Sequence, residues 1–103
     1  MPSPPSPPSL ADVVAVLDRL YPPETAADWD AVGPVCGDPA GPVRTVLLAV
    51  DPVEAVVDEA IALGAQLLVT HHPLYLRGTS TVYGGTTKGR LVTRLLTAGC
   101  GLY

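Results

Sequence analysis

Apolar positions along the chain change period repeatedly, and each change marks the boundary of an element. Leu10, Val13, Val14, Leu17 and Leu20 recur at helical spacing behind Ser9, which has Asp12 three residues later as a capping partner. Pro22 and Pro23 end that helix. Residues 24–45 show no sustained period and are broken by Gly33, Pro34, Gly37, Pro39, Gly41 and Pro42. They read as an irregular connection with a short strand near Val35. From Thr45 to Val50 the apolar run is continuous, as for a strand covered on both faces. Asp51-Pro52 then reads as a helix start, a capping carboxylate before proline at the first helical position.

Val53, Val56, Val57, Ala60 and Ile61 form one stripe, so a helix is predicted over roughly residues 52–63, closed by Gly64. A second apolar strand, Gln66–Thr70, runs straight into His71-His72-Pro73. Residues 46–70 therefore form a β-α-β unit, which requires parallel strands. A polar, glycine-rich loop is expected over 77–89. A helix carrying Leu91, Val92, Leu95, Leu96 and Ala98 follows and ends at Gly99, and a further strand begins at Cys100. The fold class is α/β, with a parallel or mixed sheet and flanking helices.

Composition narrows the functional classes. Hydrophobic residues make up 48% of the 103 and charged residues 16%, which excludes a disordered acidic tail. The formal charge is -4 with six Lys and Arg, so no basic footprint for nucleic acid exists. No apolar run approaches a membrane span, and the Pro/Ser-alternating residues 1–9 have no signal-peptide core and read as a disordered leader ahead of a domain over 10–103. Two distant cysteines without CxxC spacing fit buried, inert thiols in a reducing, cytoplasmic compartment.

Chemistry gathers where ligands collect in parallel sheets, beyond the carboxyl ends of the strands. Asp51 follows the first strand and His71-His72, the only histidines, follow the second. The pair reads either as exposed loop residues or as metal ligands. As ligands, side chains alternating across a strand would diverge and serve two ions about 3.5–4 Å apart, one each. Asp51 is better read as a helix cap than as a ligand. Tyr83-Gly84-Gly85-Thr86-Thr87-Lys88-Gly89 lacks phosphate-loop spacing and reads as a flexible loop. Trp29, between Asp28 and Asp30, reads as a partly buried anchor.

Three segments together carry a family resemblance: Asp28-Trp29-Asp30-Ala31-Val32-Gly33, then Val50-Asp51-Pro52 ahead of Glu59-Ala60, then Thr70-His71-His72-Pro73-Leu74. In order and spacing they resemble the N-terminal part of the dinuclear-metal-centre proteins related to the NGG-one-interacting factor, also called GTP cyclohydrolase I type 2 homologues. The resemblance covers residues 10–103 and departs from the family at Ala31 and Pro34, where Asn and Leu are common.

It implies a front portion of a larger three-layer α/β fold and a toroidal homohexamer. It also implies two divalent ions (zinc, iron, manganese or nickel) per intact site, with His71 and His72 holding one each. The remaining family ligands would lie beyond Tyr103, so this piece alone is expected to be inactive and prone to associate. No catalytic residue and no organic-cofactor contact is assigned. Two functions follow: a metal-dependent hydrolase of cyclohydrolase type acting on a small purine nucleotide, or a non-catalytic metal-binding or scaffold protein.

Overall fold

The computed structural model describes residues 5–103, and its first helix starts where the capping pair stands. The Ser9 hydroxyl accepts from the Asp12 amide at 3.1 Å, and the Asp12 carboxylate accepts from the Ser9 amide at 3.0 Å. Two of the helix's free amide donors are thereby satisfied, and α1 runs Leu10–Leu20. Beyond it Pro23–Thr25 form a single 3-10 turn. Of the expected leader, Met1–Pro4 lie outside the described residues. Its far end is held, because the Pro8 carbonyl accepts from the Val43 amide at 2.9 Å.

Three strands form the sheet in the order β1-β2-β3: β1 Val46–Ala49, β2 Leu67–Thr70 and β3 Gly101–Leu102. Both pairings are parallel, with Val46 opposite Leu67 and Ala49 opposite Thr70 in the first, and Leu67 opposite Gly101 in the second. The connections are α2, Glu54–Ala62, and α3, Thr87–Thr97. The predicted β-α-β unit is therefore present, and a second one follows it.

The entry to the sheet is fastened by Gln66. Its side-chain oxygen accepts from the Arg44 and Thr45 amides, both at 2.9 Å, and its amide nitrogen donates to the Gly64 carbonyl at 2.8 Å. Gly64 and Gly99 close α2 and α3 with φ of +66° and +70°, values that glycine adopts without side-chain strain.

The core is split by the sheet. On one face Val57 and Ala60 of α2 and Leu91, Val92 and Leu95 of α3 pack on Leu68 and Leu102. On the other, Leu10, Val13, Val14 and Leu17 of α1 cover Leu67 and Val69. Arg94 joins α2 to α3 through Asp58 at 2.5 Å and Glu54 at 3.7 Å. Among the described residues no helix is long and apolar enough to cross a membrane.

Several expectations are corrected. β1 is covered on one face only: Val46, Leu48 and Val50 are 43%, 74% and 59% exposed, because α1 reaches over β2 and no described element lies over β1. Among the described residues the open edge of the sheet is that of β1. The outer edge of β3 is occupied by an antiparallel bridge from Cys36, which is all that forms of the strand expected near Val35. Trp29 is no buried anchor but 73% exposed.

α2 begins at Glu54 behind Val53, without a side-chain cap from Asp51. The 77–89 segment is a loop only to Thr86, whose hydroxyl accepts from the Gly89 amide at 3.0 Å and starts α3. Gly89 marks a close approach of chain segments and not a flexible link. A β-carbon there would collide with the Tyr83 carbonyl and the Thr86 hydroxyl, and would lie 2.7 Å from the Val82 carbonyl carbon.

Gly89→Ala is therefore expected to destabilise the chain by about 1–3 kcal/mol in denaturant unfolding, despite alanine's helix preference. Gly78→Ala, where nothing lies within 4 Å of the new carbon, is expected to shift stability by no more than about 1 kcal/mol.

Candidate functional site

The hydrogen-bond ladder between β1 and β2 continues past the strand ends and fixes the site. The His71 amide donates to the Ala49 carbonyl at 3.1 Å and the His72 amide to the Val50 carbonyl at 2.9 Å, which draws Asp51 alongside the histidines. The Asp51 carboxylate then stands 2.6 Å from His72 Nδ1. This is why Asp51 does not cap α2: its carboxylate is turned to the neighbouring strand end. The Thr70 hydroxyl donates to the His72 carbonyl at 2.7 Å, and Pro73 restricts the next bond of the turn.

Both side chains of the Asp51–His72 pair are more than half exposed, 54% and 57%, so its contribution to stability is small. Its effect is orientational. A carboxylate on Nδ1 holds the ring and keeps its proton on that side, leaving Nε2 as the nitrogen with a free lone pair.

The two rings do not diverge as strand alternation predicts. Their centroids are 4.9 Å apart and their planes are inclined by 45°. Alternation holds only within a strand, and β2 ends at Thr70, so His71 and His72 lie in the bend that follows.

A small cleft of about 70 Å³ opens beside them, lined by Asp30, Gly33, Thr70, His71, His72 and Tyr103 among others. Larger clefts lie elsewhere, including one of about 630 Å³ between Pro52–Glu54 and the start of α3, but the imidazoles are not in them. The structure thus joins three distant sequence segments: the Trp29-Asp30 turn, the His71-His72 bend and the end of β3.

Tyr103 had no sequence signal. Its hydroxyl donates to Asp18 at 2.6 Å, tying β3 to α1 beside the cleft. Burial, and then the Asp18 carboxylate it bonds, push its ionisation up to about 12. Lys88 is not brought to the histidines; its ammonium sits 5.5 Å over the Tyr75 ring. Cys36 and Cys100 are free thiols. Burial pushes both up, Cys100 to about 11 with the Cys36 thiol adding to the effect, and such thiols are poor nucleophiles.

As a metal site the donor chemistry fits in part. Two exposed imidazoles, one oriented by a carboxylate, suit a divalent ion of the zinc, iron, manganese or nickel kind. Among the described residues, however, no three His, Cys, Asp or Glu side chains gather closely enough to hold an ion.

The pattern of the Duf34/NIF3 (NGG1p interacting factor 3) family matches residues 8–103, nearly the whole chain. The chain belongs to the Duf34/NIF3 family. A Streptomyces coelicolor protein named GTP cyclohydrolase 1 type 2 homolog is 60% identical over 89 residues, which is 86% of this chain and 31% of that protein. A Mycobacterium tuberculosis protein of the same name is 53% identical over 94 residues, 91% of this chain and 24% of its own length.

The fold agrees with solved NIF3-like structures. Staphylococcus aureus protein SA1388 superposes with a TM-score of 0.83 at 34% identity, over 93% of this chain and 27% of that one. A Bacillus cereus protein related to NIF3 does so with a TM-score of 0.83 at 30% identity, over 96% and 27%. This NIF3-family chain thus spans 24–31% of the length of these relatives.

Tyr103 offers a pH test of the site's rear wall. Below pH 10 folded and unfolded chains both carry the neutral phenol, and the bond to Asp18 contributes fully. Between about pH 10 and 12 the unfolded chain loses its proton while the folded one keeps it, so stability falls through that window. Ultraviolet titration is expected to show one tyrosine ionising near pH 12, absent in Tyr103→Phe. The variant should also lose that part of the alkaline decline in thermal stability.

Proposed function

We propose that this NIF3-family chain supplies the histidine part of a divalent-metal centre, with His71 and His72 each donating one imidazole nitrogen. The protein's activity is that of a metal-dependent hydrolase on a purine nucleotide. The observation that carries the metal reading is the 2.6 Å contact of Asp51 with His72 Nδ1. A carboxylate behind a ligating imidazole is the arrangement that orients metal-bound histidines in general. The substrate class rests on the GTP cyclohydrolase name of the similar S. coelicolor and M. tuberculosis proteins.

A bound divalent ion supplies Lewis acidity, polarising an oxygen and easing the deprotonation of a water. The chain's own residues do the positioning. Asp51 holds the His72 ring and its Nδ1 proton, Thr70 and Pro73 fix the bend, and exposure leaves the imidazoles reachable by an ion and a substrate.

A second reading, a non-catalytic metal-binding or scaffold protein, is favoured by one observation. The two histidines have no third ligand beside them among the described residues.

Titration of zinc or manganese into the chain, followed by calorimetry, tests the site. Binding is expected to be weak, because few ligands are prepositioned to offset the ion's desolvation. Asp51→Ala should lower the affinity about 10–100-fold. The His71→Ala, His72→Ala double variant should show no binding; equal binding by wild type and double variant would remove the metal reading.

A further inference from the structure

The histidine cleft does not end at the histidines. It shares Ala31, Val32, Gly33, Val35 and Pro73 with a larger cleft of about 360 Å³ that continues past Pro73 to Thr79. That volume falls in the range of small-molecule sites, which are concave, mostly apolar and furnished with few polar groups. Among the described residues, Arg77 is the one charged side chain that lines it. Arg77 has no ion-pair partner there, whereas Arg90 is paired with Glu54, Arg94 with Glu54 and Asp58, and Lys88 sits over the Tyr75 ring. In the same wall the Arg77, Gly78 and Thr79 amides donate to no described protein group. A free guanidinium and three free amide donors thus stand together in a cleft that opens into the histidine rim.

We propose that this second cleft receives the phosphate end of the substrate, with the Arg77 guanidinium as its anchor and the purine end toward His71 and His72. The inference rests on the nucleotide reading of the histidine cleft and adds where the charged end of such a molecule goes. A nucleotide is an uncharged ring at one end and a row of phosphates at the other. The joined clefts have the same asymmetry, imidazoles at one end and an unneutralised cation at the other. A guanidinium presents parallel N–H donors that match phosphate oxygens. The chain's net charge of -4 repels an anion at long range, so a bound phosphate needs a local cation, and no Lys or Arg lines the histidine end. The cleft between Pro52–Glu54 and α3 does not serve, because it shares no lining residue with the histidine cleft and its Arg90 is already paired with Glu54. Polypeptide filling the Arg77 cleft would close the histidine cleft along the shared residues, whereas a small anion leaves the two joined.

Titration of the metal-free 103-residue chain with GTP, pyrophosphate and guanosine, followed by nuclear magnetic resonance, tests it. GTP and pyrophosphate should shift the Arg77, Gly78 and Thr79 amides saturably, and guanosine should not. Arg77→Ala should weaken both phosphate ligands about tenfold or more, the loss expected for charge-assisted hydrogen bonds. Arg77→Lys, which keeps the charge without the fork, should fall between the two. Arg44→Ala removes the same charge at an exposed position outside the cleft and should bind like the wild type. The spectra themselves show that each variant keeps its fold.

Absence of saturable binding by GTP and pyrophosphate would overturn the proposal. So would equal losses in Arg77→Ala and Arg44→Ala, which would mean general charge attraction only, or shifts confined to the start of α3, which would place the phosphates in the other cleft. Pyrophosphate binding as tight as that of GTP, and dependent on Arg77, would support the phosphate subsite and remove the purine from the reading beneath it. The metal reading is tested apart from this one: the His71→Ala, His72→Ala double variant should lose zinc and keep the Arg77-dependent shifts.

Discussion

Everything in this fold is arranged around burying β2 on both faces while pairing it on both edges. Leu67 and Leu68 are fully buried, one under α1 and the other under α2 and α3. Truncating either to alanine is of the kind that costs about 2–5 kcal/mol, a large part of the stability of a domain this size. A strand buried on two faces cannot leave amides unpaired, which forces neighbours onto both sides. β1 and β3 take those places in parallel, and parallel neighbours require the α2 and α3 crossovers. The Gln66 side chain extends the same logic to the start of the strand, satisfying two amides of the β1 approach that no ladder reaches.

The site is a by-product of that central strand. Parallel register aligns the carboxyl ends of β1 and β2, so the first residues past each end meet on one rim. Asp51 and His72 are 21 positions apart in sequence and 2.6 Å apart in space for this reason alone. The rim is exposed, and exposure has two consequences: the ion pair adds little to stability, and the imidazoles stay open to ligands. Tyr103 closes the rear of the same cleft and, through Asp18, makes the position of β3 depend on α1.

The weak side of the architecture is β1. The two helices on one face cover the full width of the sheet, but the single helix on the other covers only β2 and its far neighbour. This asymmetry explains why a run as apolar as Thr45–Val50 leaves Leu48 among the most exposed large side chains in the chain. Apolar continuity in a sequence records what a strand is able to bury. Whether a cover is present depends on how many elements share the face.

Local signals in the sequence by themselves determined much of this protein. The Ser9–Asp12 cap, the apolar periods of the three helices, the terminating Gly64 and Gly99, the β-α-β order and the placement of His71-His72 past a strand all depend on residues a few positions apart. Features decided by distant partners were not legible. Asp51 carries the same local signature whether it caps α2 or turns to His72, and only the strand register chooses between them. Gly89 looks like a loop glycine until the Tyr83 carbonyl is brought against it. Trp29 looks like an anchor, yet no packed surface arrives to bury it. The relative orientation of the imidazoles follows from where β2 ends, which the backbone ladder sets and the side-chain pattern does not. Short-range propensity and capping energies act within one element, whereas burial, register and close approach are properties of elements brought together, and those only the tertiary structure supplies.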